Sequence, residues 1–341
     1  MENAILGIGN PLLDISAEVP QSLFEKYELK TGNAILAEEK HMPLYDEMAK
    51  NYEVSYIAGG ANLNSMRAAQ WMLQQPKVCT YIGCIGQDNY GTIMKAEACK
   101  DGVDAHFLED SAAPTGTCAC LIHEKERSLV ANLGAANNYK QEHLQAPERL
   151  ELINKAKLVC CTGFFLTVSV PSLLQLGKHC AENDKTFFMN ISAPFLVDFF
   201  WEGKFDAVLP YVDVLFGNET EFAAIAKRFG CEGAPLDQVA QKVAAFEKVN
   251  TKRERVCIVT QGSQNTWEVT KDKAIAHPVP KLDASLIVDT NGAGDSFVGG
   301  FLSQYVQGAA IPRCIDAGHY AAQVTIQTSG TNFSGKKPEF K

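Results

Sequence analysis

Asp289-Thr290-Asn291-Gly292-Ala293-Gly294-Asp295 is the most informative run of residues in this chain, because it joins an apolar segment to an amphipathic one. The apolar segment covers residues 286–288, and apolar side chains recur at helical spacing over residues 297–306. This pattern predicts a strand, a glycine turn and a helix, in that order. Because the first N–H groups of a helix lack partners and lie at the positive end of its dipole, residues 292–294 are predicted to bind an anion such as a phosphate.

The carboxylate of Asp295 gives this turn a chemical role beyond anion binding. If the site bound anions alone, the negative charge of Asp295 would repel them. The charge is useful where a carboxylate must take a proton from a hydroxyl that attacks a phosphate. The simpler alternative is an ordinary strand-to-helix turn in which Asp295 is a first-turn helix residue, and a lone glycine turn favours that alternative.

Length, charge and cysteine content set limits on the class of protein. A chain of 341 residues can form one large domain or two smaller ones, and 46% hydrophobic residues is typical of a globular protein. The net charge of −9 gives no electrostatic reason to expect nucleic-acid binding, although it does not exclude an anionic substrate. The 11 cysteines include no Cys-x-x-Cys pair, which disfavours zinc and redox motifs and favours free thiols in a reducing compartment.

The sequence also predicts a location for the protein. The chain starts directly with an apolar, strand-like run at residues 5–8 and shows no signal-peptide pattern. The longest apolar stretch, residues 159–170, is too short and too polar to span a bilayer. We therefore expect no membrane partner and a cytosolic location, with a nuclear pool left open.

Apolar, strand-like runs alternate with helical patterns along most of the chain. The predicted strands are residues 5–8, 78–85, 158–162, 186–190, 212–216 and 256–260. Near-continuous apolar strands separated by helices indicate an α/β fold, with a mostly parallel central sheet and helices on both of its faces.

Two segments break this pattern and predict a small second sheet. Residues 12–59 begin with alternating apolar and polar side chains, and residues 115–133 contain two alternating runs around the polar turn at 124–126. Alternation with one polar face is typical of half-exposed antiparallel strands, and such a sheet beside an α/β core suits a lid. The predicted division gives residues 1–14, 60–112 and 136–341 to the α/β domain, and residues 15–59 and 113–135 to a discontinuous β lid.

Polar and glycine residues near predicted strand ends are further candidates for a binding site. Asn10 and Asp14 follow the first strand, and Gly60 and Asn64 lie at the start of the first long helix. From spacing alone, an ordinary turn and a ligand-binding turn explain each pair about equally well. Leu12 stands at the third glycine position of Gly-x-Gly-x-x-Gly, which disfavours a dinucleotide-binding fold.

Two more candidate segments follow predicted strands farther along the chain. Asn218 and Glu221 lie at the start of a helix, where a carboxylate suits the helix dipole without any further function. That capping role is the default interpretation, although oxygen ligands there could also hold Mg²⁺ through water. Thr260 and Gly262 end a strand and could line a nucleotide pocket, but alone they are uninformative.

Taken in order, these motifs resemble one protein family. The run from Asp289 to Phe301 resembles the second signature of the PfkB/ribokinase family of carbohydrate and nucleoside kinases, and the glycine and strand-end motifs follow that family's layout over nearly the whole chain. Narrower motifs are similar to those of the family's eukaryotic adenosine kinase branch, namely residues 9–16, 69–72, 114–118, 162–169, 192–195 and 317–322. The resemblance favours phosphoryl transfer and implies a ribokinase-like α/β domain with a small β-sheet lid.

The resemblance implies an enzyme that phosphorylates adenosine at its 5′-hydroxyl as a monomer, with ATP as co-substrate and Mg²⁺ as cofactor. It implies that Asp295 is the catalytic base and that Arg127, on the lid, reaches toward the transferred phosphate. The implied anion hole is Gly292, Ala293 and Gly294. The implied nucleoside contacts are Asn10, Asp14, Gly60, Asn64, Leu129, Ala131, Leu133, Phe165 and Asn291. The implied nucleotide contacts are Asn218, Thr260 and Gly262, and the implied metal contacts, through water, are Asn218 and Glu221.

Some positions depart from the family pattern, and two rival functions stay open. The departures are residues 61–63, beside the expected ribose site, and Gly134; they bear on substrate breadth rather than on the catalytic turn. One rival is a kinase for another nucleoside or a sugar, and the other is a catalytically silent nucleoside-binding relative. The intact Asp295 and its glycine turn argue against the silent relative.

Overall fold

A computed structural model of the chain describes residues 1–123, 126–333 and 337–340. Residues 124 and 125 of the predicted polar turn lie outside these ranges. The strands are β1 Ile5–Ile8, β2 Leu12–Glu18, β3 Ala34–Leu36, β4 Ser55–Gly59, β5 Cys79–Gly86, β6 Asp104–Asp110, β7 Thr117–His123, β8 Glu126–Asn132, β9 Leu158–Thr162, β10 Thr186–Asn190, β11 Val214–Asn218, β12 Val256–Thr260, β13 Thr266–Val269 and β14 Ala274–His277. The α-helices are α1 Gln21–Lys26, α2 Met42–Asn51, α3 Ala61–Leu73, α4 Asn89–Lys100, α5 Pro147–Lys155, α6 Val170–Glu182, α7 Pro194–Phe199, α8 Asp206–Val208, α9 Glu219–Arg228, α10 Leu236–Ala244, α11 Ala293–Tyr305 and α12 Ile311–Ile326.

The larger sheet has nine strands in the order β14-β13-β12-β11-β10-β9-β1-β5-β6. The seven strands from β12 to β6 pair in parallel, and β13 and β14 add an antiparallel edge. The prediction of a mostly parallel central sheet is confirmed, since the six strands predicted at residues 5–8, 78–85, 158–162, 186–190, 212–216 and 256–260 are present with at most a small shift of their ends. In such sheets, ligands bind beyond the carboxyl ends of the strands.

Alternate residues of the central strands supply two separate cores, one on each face of the sheet. Leu6 and Val159 belong to a core that includes side chains of α5, α6, α9 and α10. Ile5 and Leu158, their neighbours in sequence, belong to a core that includes side chains of α3, α4, α11 and α12. This arrangement follows from the strand period of two and explains why the strands read as unbroken apolar runs. None of the described helices is both long enough and apolar enough to cross a membrane.

The smaller sheet has five strands in the order β3-β8-β7-β2-β4. The expectation of antiparallel strands is only partly right: β2–β4 and β7–β8 are antiparallel, but β2–β7 and β3–β8 are parallel. Alternation of side chains reveals the two faces of a strand and carries no information about its direction. One face, with Ile15 and Leu121, packs against α1 and α2. The opposite face, called the inner face below, includes Asp14, Cys118 and Leu129.

The start of β2 bears on the predicted lid boundary. This strand begins at Leu12, so Asp14 lies within the small sheet although the prediction gave residues 1–14 to the α/β domain. The division into a core and a lid with the stated boundaries otherwise stays a prediction.

The strand predicted before the glycine turn is wrong. A 3₁₀ turn covers Ala284–Leu286, and Leu286, Ile287 and Val288 are 48%, 43% and 55% exposed. The Val288 N–H donates to the Ile326 carbonyl at the end of α12, at 2.8 Å, instead of joining a strand ladder. A short apolar run becomes a strand only where a neighbouring strand can pair with it, and this run lies on the surface.

Candidate active site

A cavity of about 820 Å³ lies between the inner face of the small sheet and the carboxyl-terminal edge of the large one. It collects residues from segments that are far apart in sequence. Of the predicted site residues, those that line it are Asn10, Asp14, Gly60, Asn64, Arg127, Leu129, Ala131, Leu133, Asn291, Gly292 and Asp295. The cavity therefore brings the predicted base and most of the predicted nucleoside contacts together.

The glycine turn forms the start of α11, with Gly292 as its N-cap. Gly292 has a φ of +76°, in the left-handed region that favours glycine, and a Cβ there would lie 2.3 Å from Thr331 Oγ1. Within the described part of the chain, the N–H groups of Gly292 and Gly294 donate to no protein acceptor, whereas that of Ala293 donates to the Thr290 carbonyl at 3.3 Å. Of the three predicted N–H donors, two are therefore open, because the turn closes on Ala293.

Asp295 lies in the first turn of α11, and its Oδ2 accepts a hydrogen bond from Asn64 Nδ2 at 3.0 Å. Burial raises the pKa of Asp295 to about 6, the Asn64 hydrogen bond opposes this rise, and the Asp14 carboxylate adds to it. At neutral pH the carboxylate is still mostly ionised. A base whose pKa lies near the working pH combines the ionised form with a useful affinity for the proton.

Arg67 is a residue that the sequence interpretation missed. It lies on α3, one helical turn after Asn64, and its Nη1 donates to Asn64 Oδ1 at 3.4 Å and to the Ala58 carbonyl at 2.7 Å. A salt bridge with Asp101 holds the buried guanidinium in place. Arg67 thereby orients the amide of Asn64 toward Asp295. The i,i+3 spacing on a helix is the only signal in the sequence that could have indicated this contact.

Asp14 and Asn10 offer acceptors to a ligand on the other side of the cavity. Burial raises the pKa of Asp14 to about 6, against the opposing effects of Arg127 and Arg67. Asn10 Oδ1 is buried and has no hydrogen-bond partner among the described residues. An unpaired buried oxygen of this kind points to a ligand as its missing donor. Gly60 allows the backbone to pass close by, since its φ is +99° and a Cβ would lie 2.2 Å from the Asn10 carbonyl oxygen.

Arg127 does not extend freely into the cavity, because it forms an ion pair with Asp289. Nη1 of Arg127 lies 2.9 Å from Asp289 Oδ2, and both side chains are only 8% exposed. The Asp289 carboxylate also accepts from the Asn291 backbone N–H at 2.9 Å, from Asn291 Nδ2 at 2.8 Å and from the Gly330 N–H at 3.1 Å. Asp289 therefore joins β8 to the glycine turn, a role that the sequence interpretation did not assign to it.

Much of the rest of the cavity wall is apolar, although Asn137, Thr167 and Thr331 also line it. Its aliphatic residues, from β3, β8 and the segment after β8, are Ile35, Leu36, Leu129, Ala131 and Leu133, and its aromatic residues are Phe164, Phe195 and Phe200. Phe165 was expected here, but it is fully buried in the core, with its ring 5.4 Å from that of Tyr139. Gly163–Thr167 forms a 3₁₀ turn, in which consecutive side chains point about 120° apart, so only Phe164 of the pair faces the cavity.

The predicted nucleotide and metal residues lie at the same edge of the large sheet, outside the cavity wall described above. Asn218 and Thr260 are register partners at the ends of β11 and β12, and Gly262 follows two residues later. Asn218 and Glu221 form a capping box, in which Asn218 Oδ1 accepts from the Glu221 N–H at 2.9 Å and Glu221 Oε2 accepts from the Asn218 N–H at 3.0 Å. The default capping role is thus present.

Glu221 has a further property that fits a cation nearby. Its pKa is raised to about 7, chiefly by burial, and the Glu219 and Asp295 carboxylates raise it further. A divalent cation would relieve this repulsion, and Asn218 and Glu221 supply the oxygen atoms that Mg²⁺ prefers. The donor set therefore fits Mg²⁺ held through water.

Comparison with known proteins places this site in a family. A family model described as pfkB family carbohydrate kinase matches residues 22–338, which include the glycine turn, Asp295 and every strand of the two sheets except β1 and β2. The chain belongs to the pfkB family of carbohydrate kinases. The recognition of this family from the sequence is confirmed, as is the predicted α/β fold with its second, smaller sheet.

This pfkB family member is similar over its full length to adenosine kinases. It is 48% identical to adenosine kinase 1 of Arabidopsis thaliana over 339 residues, which cover 99% of this chain and 98% of the relative. The crystal structure of Anopheles gambiae adenosine kinase in complex with P1,P4-di(adenosine-5) tetraphosphate has a TM-score of 0.90 and 45% identity, covering 100% of both chains. Adenosine kinase from Schistosoma mansoni in complex with adenosine and AMP has a TM-score of 0.86 and 34% identity, covering 97% of this chain and 98% of the other.

Proposed function

We propose that this pfkB family member is an adenosine kinase, which transfers a phosphoryl group from ATP to the 5′-hydroxyl of adenosine and gives AMP. One observation carries the proposal. Asp295, held by Asn64, lies in the same first turn of α11 as two open N–H donors, in a cavity whose other walls offer Asp14 and a set of apolar side chains. A base, an anion site, a ribose acceptor and an apolar slot for a purine are the parts that this reaction requires.

The relatives support the choice of substrate. The Schistosoma enzyme was solved with adenosine and AMP, which are the acceptor and the product of the proposed reaction. The ligand of the Anopheles enzyme joins two adenosine groups through four phosphates, so it resembles an acceptor and a donor linked together. The Anopheles structure covers 100% of this chain, so the part of the fold that it matches includes both sheets.

Chemistry at Asp295 proceeds by proton transfer and displacement. The carboxylate accepts the proton of the 5′-hydroxyl, the oxygen attacks the terminal phosphorus of ATP, and the bond to the ADP oxygen breaks. The Gly292 and Gly294 N–H groups donate to the oxygens of the transferred phosphoryl group, where negative charge is spread in the transition state. Arg127 contributes positive charge and, through Asp289, holds the turn in shape.

The nucleoside is held at both of its ends. Asp14 and Asn10 Oδ1 accept hydrogen bonds from the ribose hydroxyls, and Gly60 gives the sugar room to approach the backbone. The purine lies between the aliphatic residues of the lid and the ring of Phe164, where burial of its faces is favourable. This placement makes the lid part of the binding site.

The remaining assignments belong to the same proposal. ATP lies along the carboxyl ends of β11 and β12, near Thr260 and Gly262. Asn218 and Glu221 would hold Mg²⁺ through water, and the cation would supply positive charge near the phosphates. A cytosolic location, a monomeric state and the absence of nucleic-acid partners complete the proposal.

An acceptor panel and one variant test the proposal. The assay couples ADP release to a dye reaction with ATP, Mg²⁺ and, in turn, adenosine, 2′-deoxyadenosine, inosine and ribose. Fast turnover with adenosine and slower turnover with the deoxy analogue are expected. Asp295→Ala should lower turnover by at least about 10² while adenosine binding survives. Faster turnover with another acceptor would show that adenosine is not the preferred substrate. Normal turnover of Asp295→Ala would show that Asp295 is not the catalytic base.

A further inference from the structure

Two cysteines of the small sheet lie beside the carboxylate that we assign to the ribose. Cys118 is the register partner of Asp14 in the parallel pair β2–β7, and Cys120 lies two residues farther along β7. Residues two apart on a strand point to the same face, so both thiols face the same way as Asp14. Both cysteines are free thiols. One oxygen of Asp14 and the two Sγ atoms all lie within 4.8 Å of one another.

This donor set suits a soft or borderline cation. Two thiolates and one carboxylate are ligands for Zn²⁺ or Cd²⁺, whereas Mg²⁺ prefers oxygen atoms alone. Around one tetrahedral Zn²⁺ the donor atoms are about 3.5–4 Å apart, given bonds of about 2.0–2.3 Å. The three side chains therefore need to converge by at most about 1 Å, which small rotations about χ1 supply.

The cavity gives a cation a route to these donors. Asp14 and Cys118 both line it, while Cys120 is fully buried behind them. Three protein ligands leave the fourth position of a tetrahedral ion open toward the cavity, where water would fill it. The same position lies where the ribose is expected.

Charge balance also favours the site. Two thiolates, one carboxylate and a divalent cation carry a net charge of about −1. The Arg127 guanidinium interacts electrostatically with Asp14, Cys118 and Cys120, but it is also paired with the buried Asp289 carboxylate, so it does not neutralise the complex by itself. Because the two positive charges of the cation replace the two thiol protons, binding leaves the net charge of this buried region unchanged.

We propose that Asp14, Cys118 and Cys120 form an inhibitory site for Zn²⁺ or Cd²⁺, which competes with the nucleoside for Asp14. The competition rests on the proposed function, since it assumes that Asp14 binds the ribose. Binding forms two metal–sulfur bonds and one metal–oxygen bond and releases the two thiol protons to solvent. No atom is oxidised or reduced. The ligand class is thus a free divalent cation with an affinity for thiolates.

Cadmium titration of the full-length protein tests the site directly. The starting protein is Cys99→Ser, which removes an exposed thiol and is kept reduced with a phosphine. Cadmium NMR reports the number of coordinated sulfur atoms, and calorimetry gives the affinity and stoichiometry. We expect one Cd²⁺ per chain with two sulfur ligands. Binding should weaken at least about 100-fold in Cys118→Ser and in Cys120→Ser, since loss of a ligand exceeds the 10–100-fold effect of losing an outer-shell partner.

Matched variants separate the site from general thiol binding and from misfolding. Cys84→Ser removes a buried thiol of the large sheet and should leave cadmium affinity unchanged. Asp14→Asn keeps the shape of the side chain and should weaken binding, so it tests the carboxylate without changing a cysteine. Thermal unfolding of each variant shows whether it is folded before it is titrated.

The outcomes distinguish the site from the proposed function. The metal site is overturned if two-sulfur coordination persists in both serine variants, or if it is absent from the starting protein. Either result holds whatever the kinase activity. Two-sulfur coordination that both serine variants lose, with adenosine reducing Cd²⁺ affinity, supports the full proposal. If Cd²⁺ binds with these properties but adenosine does not reduce its affinity, the inhibitory role is overturned, and the ribose role of Asp14 falls with it.

Discussion

Removal of the Asn64 amide should move the acidic limb of the pH–rate profile to higher pH. Asp295 has a pKa of about 6, so wild-type turnover should fall about tenfold per pH unit below that value, because only the ionised carboxylate accepts a proton. Asn64 Nδ2 donates to this carboxylate at 3.0 Å and stabilises its charged form. Asn64→Leu removes the donor with little change in volume, so the pKa of Asp295 should rise.

The size of the shift follows from the strength of the bond. A hydrogen bond to a charged group contributes about 1.5–3 kcal/mol, which corresponds to a rise of about 1–2 pKa units. The pKa of Asp295 would then be about 7–8, and turnover at pH 7 would fall by about twofold to tenfold, with recovery near pH 9. The change is therefore a displacement of the profile and not a uniform loss of activity.

The assay follows kcat at saturating adenosine from about pH 5 to pH 9. This quantity is chosen because Asp14 also has a pKa of about 6, and its titration appears in kcat/KM, where nucleoside binding contributes. Ser65→Ala is the matched control, since Ser65 lies next to Asn64 on α3 and its hydroxyl donates to the Ala61 carbonyl. An unchanged midpoint in Asn64→Leu, or a shift to lower pH, would refute the reasoning.

Three further predictions concern the residues around the turn. Asp289→Ala leaves Arg127 buried without its partner and should lower the free energy of unfolding by about 3–5 kcal/mol in urea titrations; a loss below about 1 kcal/mol would mean that the pair is solvated. Asp14→Ala should weaken adenosine binding about 10- to 100-fold in calorimetry, and unchanged affinity would remove it from the ribose site. Gly292→Ala forces a Cβ to within 2.3 Å of Thr331 Oγ1 and should lower turnover and thermal stability together, whereas wild-type values would show that the turn tolerates a side chain.

Six strands of the large sheet could be predicted from the sequence because they are buried on both faces, whereas the partly exposed strands β6, β13 and β14 were not predicted. Runs such as Leu158–Thr162 are apolar throughout and lie between helices, so their pattern admits few other structures. The same rule failed at residues 286–288, where the apolar side chains have no neighbouring strand to pair with and remain on the surface. The local sequence pattern indicates the tendency of a segment to form a strand, whereas strand pairing depends on the rest of the chain.

Within the site, backbone features were easier to predict than side-chain partners. The glycine turn and the carboxylate of Asp295 are specified by adjacent residues. The contacts of Asp289 with Arg127, and of Arg67 with Asn64, depend on packing or on which side of a helix each residue occupies. Phe164 and Phe165 are neighbours in sequence, but one faces the cavity and the other is buried in the core. The 3₁₀ turn that contains them and points them apart cannot be recognised from composition. The direction of strand pairing in the small sheet, parallel or antiparallel, likewise could not be predicted from the alternation of apolar and polar residues.

The four hydrogen bonds of the Asp289 carboxylate tie together three distant segments: a lid strand through Arg127, the glycine turn through Asn291 and the C-terminal segment through Gly330. If the small sheet moved as the predicted lid, Arg127 would leave this carboxylate and the turn would lose part of its support. In an adenosine kinase, bound ATP would then face a poorly ordered anion hole whenever the nucleoside is absent. On the proposed function, these hydrogen bonds would guard against futile ATP hydrolysis, since water would gain a competent site only when the small sheet is closed and adenosine already occupies the space that water would need.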